Sequence, residues 1–276
     1  MKKLVLTGAM GRLGTVLREP LSKLCDELVT SDILDGPSET FANETYVQAD
    51  IADLGQMESL LKGADMVVHF GAIGDEAPFD ELLGPNFLGA YNVWEAAHRN
   101  GLRRVVYASS IHAVGMHKKT DFIGIDAPHK PDTFYGLAKC FAENIGSLYW
   151  DKNGLESVCM RILSCATPTN PRAIGSYLSY DDLIHLVERA IDTPITGFSV
   201  VYGVSNNDRA PVDNSKAQHL GYRPKDNAEE LAKDIYAEAG PLDPHDPGNT
   251  HHGGPFAVVE LGQSGVALLN LNDDET

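Results

Sequence analysis

Residues 3–14 read Lys3-Leu-Val-Leu-Thr7-Gly8-Ala-Met-Gly11-Arg12-Leu13-Gly14. A short apolar, β-leaning run meets glycines at 8, 11 and 14, and Leu13, Val16, Leu17, Leu21 and Leu24 then succeed it at helical spacing. The order is strand, tight turn, helix. Glycines at these places permit a sharp turn and let backbone N–H groups approach a pyrophosphate. They also leave the positive end of the helix facing that anion. An ordinary glycine turn would look the same, so context decides. Asp32 closes the second strand-like run about 20 residues on, where a carboxylate can accept the hydroxyls of a ribose. No Lys or Arg directly follows Asp32, and Asp35 adds negative charge. A 2′-phosphate would be repelled there, which favours NAD over NADP. Arg12 argues the other way, because a basic residue in the loop can reach a phosphate. Asp50, after the third strand-like run, is expected at the adenine amino group.

Further strand-like runs lie at Leu28–Ser31, Tyr46–Ala49, Met66–Phe70, Arg104–Ser109 and Ser157–Ile162, with helical segments between most of them. Such alternation specifies an α/β parallel sheet with helices on both faces. The clearest helix runs from about Phe79 to Arg99, where Phe79, Leu82, Leu83, Phe87, Ala90, Val93, Trp94 and Ala97 form one apolar stripe expected to pack on the sheet. Beyond residue 163 the pattern loosens into a loop from Thr167 to Pro171, a helix near Asp181–Ile191, a β run at Phe198–Gly203 and a helix near Asn227–Ala239. The expected organisation is a dinucleotide-binding domain over 1–162, a small cap interleaved with the sheet over 163–240, and an extended tail over 241–276. That tail is expected to wrap the surface or a neighbouring subunit.

The chain has 276 residues, with 39 Asp and Glu against 22 Lys and Arg, a formal net charge of -17. This sign argues against nucleic acid or an acidic membrane surface as partner. With 43% apolar and 22% charged residues the composition is that of a folding chain rather than a disordered one. Cys25, Cys140, Cys159 and Cys165 form no C-x-x-C pair, which suits a reducing, cytoplasmic setting. No apolar stretch approaches the ~18 residues of a membrane span. His245, Asp246, His251 and His252 lack metal-ligand spacing and are read as solvated loop residues, so no metal is expected.

A second constellation is Tyr135-Gly-Leu-Ala-Lys139, which sets a phenol and an ammonium one helical turn apart. Ser110 ends a strand run 25 residues earlier. Together with Thr7-Gly8-x-x-Gly11-x-x-Gly14, Asp32 and Ser109-Ser110, the Tyr135-x-x-x-Lys139 pair resembles the extended short-chain dehydrogenase/reductase family, which includes nucleotide-sugar epimerases and dehydratases. The resemblance covers about residues 1–235. It implies a Rossmann-like doubly wound sheet with a small C-terminal substrate cap. It also implies an NAD-dependent oxidoreductase of carbohydrate metabolism, soluble and homo-oligomeric, from a dimer up to a hexamer. Cofactor contacts are implied for Gly8, Gly11, Arg12, Leu13, Gly14, Asp32, Asp50, Ile51, Tyr135 and Lys139. Within the family, Ser109-Ser110-Ile-His112, Tyr135-Gly-x-x-Lys139-Cys140-Phe141, Arg161-Ile-x-Ser164-Cys165, Arg172, Asp213-Asn-Ser and Leu220-Gly-Tyr-x-Pro-Lys-Asp-Asn-Ala-Glu are similar to members that oxidise free hexuronates. These take D-galacturonate or D-glucuronate to the aldarolactone. Two positions depart from that pattern: Ile111 stands in place of Asn, and Gly74 in place of a substrate-contacting Ser. Asn86 falls where the family often uses an Asn near the active-site Lys, although a helix Asn facing a polar pocket would read the same.

The residue chemistry runs parallel to this. Removing hydride from an alcohol carbon needs a base for the hydroxyl proton, and a phenol of pKa about 10 is too weakly ionised to serve unaided. Burial raises that value further, so the charges of Lys139 and of an oxidised nicotinamide must outweigh it. The expected roles are Tyr135 as base, Lys139 lowering its pKa and holding the nicotinamide ribose, and Ser110 bonding the reacting oxygen. A sugar carboxylate suits a planar guanidinium, for which Arg172 is the candidate; His112 and Ser164 are candidates for sugar contacts. The competing readings are a nucleotide-sugar epimerase or dehydratase, which would need a larger C-terminal part, and an NAD-sensing regulator, which would not need Ser110, Tyr135 and Lys139 together. Because both ligands are anions, the net charge requires local cations wherever they bind.

Overall fold

In the computed structural model, which describes residues 1–239 and 242–269, the central strands are buried on both faces, while the edge strand at Glu44–Gln48 is largely exposed. Strands β1 (Lys3–Thr7), β2 (Glu27–Asp32), β3 (Glu44–Gln48), β4 (Met66–His69) and β5 (Arg104–Ser110) alternate with helices α1 (Arg12–Ser22) and α2 (Leu54–Leu60), and then α3 (Phe79–Leu82) and α4 (Gly89–Arg99). After the two-residue β6 (Ile123–Gly124) come α5 (Phe134–Asn153), β7 (Glu156–Ile162), α6 (Pro171–Ile174), α7 (Tyr180–Asp192), β8 (Phe198–Gly203), β9 (Val212–Asp213), α8 (Glu229–Glu238) and α9 (Pro247–Thr250). Seven strands form one parallel sheet in the order β3-β2-β1-β4-β5-β7-β8, and β6 pairs with β9 apart from it. The period of two sends Leu4, Leu6 and Val106 to one face against Leu17 of α1 and Leu183 of α7. It sends Val5, Val67 and Val105 to the other face against Met57 of α2 and Trp94 of α4. Near-continuous apolar strands are the mark of a sheet covered on both sides. The strand order reverses between β1 and β4, so a crevice opens at their C-terminal ends.

The long helix departs from its expected course. Residues 83–88 form a π-helical turn between α3 and α4. Each i→i+5 bond adds a residue to the turn and so rotates the α3 segment about the axis relative to α4. The stripe therefore holds for Leu82, Ala90, Val93, Trp94 and Ala97, while Phe79 and Leu83 are exposed. Asn86 is turned inward instead. Its Oδ1 accepts from the Ile73 N–H and its Nδ2 donates to the Ile73 carbonyl, both at 2.9 Å. This is a structural use of Asn86, which holds the loop after β4.

Within residues 163–240, β8 is an edge strand of the main sheet, and α7 lies beside α1 beneath it. The tail is not merely an extended wrap: residues 251–269 fold back across the end of the sheet, and Phe256, Val266 and Leu269 reach the crevice. Its acidic end, 270–276, lies outside the described residues. Among the described residues no helix is long and apolar enough to cross a membrane.

Candidate active site

The glycine turn is shaped by contacts a side chain would prevent. Gly8 sits at φ 73°, and a Cβ there would stand 2.5 Å from the Gly71 nitrogen; a Cβ on Gly14 would stand 1.9 Å from the Gly8 carbonyl oxygen. Gly11 caps α1 without any side chain, and the first helical turn carries no acidic residue. The N–H groups of that turn are therefore left to an external anion. Asp32, at the end of β2, is fixed by the Met10 N–H at 2.9 Å and the Leu34 N–H at 3.2 Å. A cradle with no room for a Cβ, an uncapped helix start and an anchored carboxylate fit a dinucleotide. Arg12 does not turn toward Asp32; it crosses the turn to donate to the Cys165 carbonyl. Asp50 accepts from Ala52 N–H at 2.8 Å, and Ile51 packs on Gly71 and Gly89. Neither lines the cavity into which the glycine turn opens.

That cavity, of about 460 Å³, runs from Gly8, Gly11, Arg12, Leu13 and Gly14 to Ser110, His112, Tyr135, Lys139 and Ser164. Sequence-distant groups thus meet in one cleft. Thr133 starts α5 by accepting from the Gly136 N–H at 3.0 Å. This sets Tyr135 and Lys139 on the face toward β5. The Ser110 hydroxyl hydrogen-bonds the Tyr135 phenol. It also accepts from His112 N–H at 3.2 Å, capping the short 3-10 turn Ile111–Val114. Ile111 points away, into the apolar cluster with Val114, Ile123 and Tyr202. Lys139 donates to the Ala108 carbonyl at 2.7 Å, with its ammonium 5.2 Å from the centre of the Tyr135 ring. Burial pushes Lys139 down to about 7, partly opposed by Glu143. Burial also pushes Tyr135 up to about 12, with Asp132 and Asp75 adding to the rise and only the Ser110 bond opposing it. Lys139 alone does not offset the desolvation of the phenol, being itself buried; the expectation that Lys139 and an oxidised nicotinamide do so together concerns the cofactor-bound enzyme.

A network behind the cleft was not foreseen. Glu143, one turn beyond Lys139 and 2% exposed, accepts from Ser109 at 2.6 Å, from Arg161 at 2.8 and 3.0 Å, and meets His129 Nε2 at 2.7 Å. These partners together overcome burial and hold its carboxyl down at about 2. Its i, i+4 relation to Lys139 was the available signal.

On the substrate side, His112 Nδ1 is 2.8 Å from Asp132, which leaves Nε2 for a ligand. Phe256 of the tail stacks on the His112 ring at 3.9 Å. Val266 and Leu269 also line the cavity. Asp75 accepts from Gly265 and Val266 N–H at 2.9 and 3.1 Å. Glu76 accepts from Gly262 N–H at 2.8 Å and from Tyr135 N–H at 2.7 Å. Apolar tail residues so distant along the chain gave no signal in the sequence. His252 likewise is not solvated, being 6% exposed. A Cβ on Gly74 would meet nothing within 4 Å, so the departure there leaves open space in the cleft. Arg172 is half-buried and lies over Gly254 of the tail, and it is not among the residues that line the cavity.

Residues 4–180 match the model of the NAD dependent epimerase/dehydratase family. The chain belongs to this family. Its similarity to relatives in the NAD dependent epimerase/dehydratase family extends well past the matched region. A uronate dehydrogenase of Pseudomonas putida is 41% identical over 258 residues, 93% of this chain and 96% of that one. A crystal structure of the Agrobacterium tumefaciens uronate dehydrogenase, a tyrosine-to-alanine mutant complexed with NAD, superposes with a TM-score of 0.89 at 39% identity, covering 95% of this chain and 98% of the other. An NAD-dependent glucose-6-phosphate dehydrogenase of Haloferax volcanii is 32% identical across 87% of this chain and 97% of its own length.

Proposed function

We propose that this enzyme oxidises a free hexuronate, D-galacturonate or D-glucuronate, at the anomeric carbon to the aldarolactone with NAD. The observation that carries the reading is the convergence of Tyr135, Lys139 and Ser110 with the glycine cradle in one cavity closed by Phe256. Likeness to uronate dehydrogenases over nearly the whole chain supports it. Tyr135 takes the anomeric hydroxyl proton, Ser110 bonds the reacting oxygen, and Lys139 holds the cofactor ribose from beneath the phenol. Bound NAD supplies the hydride acceptor and, when oxidised, the positive charge beside the phenol that the chain's own groups lack. His112 through Nε2 and Ser164 contact the sugar, and Arg172 attracts its carboxylate. Residues 1–162 hold the cofactor, while parts of 163–240 and the tail form the substrate wall. Four unpaired cysteines, three of them buried, suit a cytoplasmic enzyme, here read as a homo-oligomer.

The test is purified protein with NAD, offered galacturonate, glucuronate and UDP-sugars while NADH absorbance is followed. Reduction with the free uronates is expected. Reduction only with UDP-sugars, or with none, overturns the reading. For the cofactor, Asp32→Ala is expected to raise KM for NAD about tenfold or more, the loss of roughly 1.4 kcal/mol, and to admit NADP. An unchanged NAD KM would remove Asp32 from the site.

A further inference from the structure

Residues 115–119 run antiparallel to residues 251–253. His252 N–H donates to the His117 carbonyl at 3.0 Å, Gly253 N–H to the Gly115 carbonyl at 2.9 Å, and Lys118 faces His251 across the bridge. This pairing brings Lys119 beside His252. The next residue but one, Gly254, is covered by the Arg172 guanidinium so closely that a Cβ there would stand 2.4 Å from Nη1. Lys119, His252 and Arg172 thus share one patch at the rim of the tail that walls the cleft.

Their lack of partners is the second observation. Buried guanidinium groups elsewhere are matched, Arg18 by Glu44, Arg104 by Glu156 and Arg161 by Glu143. Arg172 and Lys119, both half-buried, in contrast have no ion pair with any described residue. His252 is 6% exposed, and neither ring nitrogen finds a hydrogen bond of good geometry. In a chain with 39 acidic residues against 22 basic ones, two uncompensated cations side by side are not a by-product of composition. A half-buried charge without a partner has lost part of its water and gained nothing in return, and an external anion offsets that cost.

We propose that Lys119 and Arg172 form a two-cation seat for the anionic end of the sugar, with His252 as a neutral donor at its edge. The seat takes an oxyacid terminus, the carboxylate of a hexuronate or the phosphate of a hexose phosphate, and excludes the neutral aldose. This rests on the hexuronate reading above and extends it by naming Lys119 as a residue that sets specificity. The electrostatics agree with the geometry. Burial and then Arg172 push Lys119 down to about 7, and burial with Lys119 and His117 pushes His252 down to about 4 against the opposing Asp121. An anion placed between Lys119 and Arg172 reverses that pressure on Lys119.

The experiment compares wild type, Lys119→Gln and the charge-keeping Lys119→Arg. One readout is KM for galacturonate, glucuronate and glucose 6-phosphate, with KM for NAD as control. The other is the melting temperature in sodium sulfate against sodium chloride at matched ionic strength. Lys119→Gln is expected to raise the KM of the oxidised anionic sugar about tenfold, the effect of one lost charge-assisted contact, with kcat and NAD KM unchanged. It should also lose the stabilisation by sulfate, and Lys119→Arg should restore both. Whichever of the carboxylate and phosphate sugars shows the KM rise identifies the terminus. If wild type oxidises neither but sulfate protection is still lost in Lys119→Gln, the hexuronate reading fails and the anion seat stands. If Lys119→Gln leaves both KM and sulfate protection at wild-type values, the seat is overturned.

Discussion

Tyr135→Phe is expected to lower kcat by roughly 10²–10⁴-fold, the range supplied by a positioned base, while the Kd for NAD stays within about twofold. The substitution removes only the phenolic oxygen. The ring remains buried with Leu82 and Phe256, and its N–H still donates to Glu76 at 2.7 Å. A fall in kcat therefore reports proton transfer rather than collapse of the cleft. Steady-state turnover with the active uronate and calorimetric NAD binding provide the two numbers. Turnover within about tenfold of wild type would take the base assignment away from Tyr135.

Glu143→Gln is expected to cost about 3–5 kcal/mol of stability at pH 7, the penalty of breaking a buried ion pair by removing one partner. Arg161 would lose its countercharge, and because the amide keeps one acceptor oxygen of two, either Ser109 or His129 would also lose its acceptor. The pH dependence gives an independent signature. Glu143 is held at about 2 in the fold against an ordinary 4.5. A carboxyl with a lowered folded pKa contributes its full stability above the unfolded value and loses it as pH falls through the folded one. Wild type should thus lose stability between about pH 4.5 and 2, and Glu143→Gln should lose less over that window. Urea denaturation at stepped pH measures both. An unchanged stability at pH 7, or an unchanged acid limb, would contradict the role given to the network.

Much of the cofactor half was legible because local chemistry specifies it. Glycines 8, 11 and 14 are read directly from a turn that no Cβ fits, and the strands from runs whose burial is nearly continuous. Tyr135, Lys139 and Ser110 were legible as a spacing that an α-helix and a strand end bring together. The hidden features depend on distance along the chain. The π turn at 83–88 has no signal in a 3.6-residue pattern, so Leu83 was placed inward and the tie from Asn86 to Ile73 was missed. Phe256, Val266 and Leu269 are ordinary apolar residues in a Pro- and Gly-rich tail, and only their docking on Asp75 and Glu76 gives them meaning. The upward push of burial on the Tyr135 phenol was legible, but the burial that pushes Lys139 itself down to about 7 was not, because the sequence contains the cation without its desolvation.

The Glu76 carboxylate has one oxygen on Gly262 of the tail and the other on the first turn of α5, at Tyr135 itself. Closing the tail over the cleft and seating the first turn of α5 are consequently one degree of freedom rather than two. A shift of residues 262–266 would pull on the same carboxylate that accepts from the Tyr135 N–H, so the tail cannot be displaced without disturbing the start of α5.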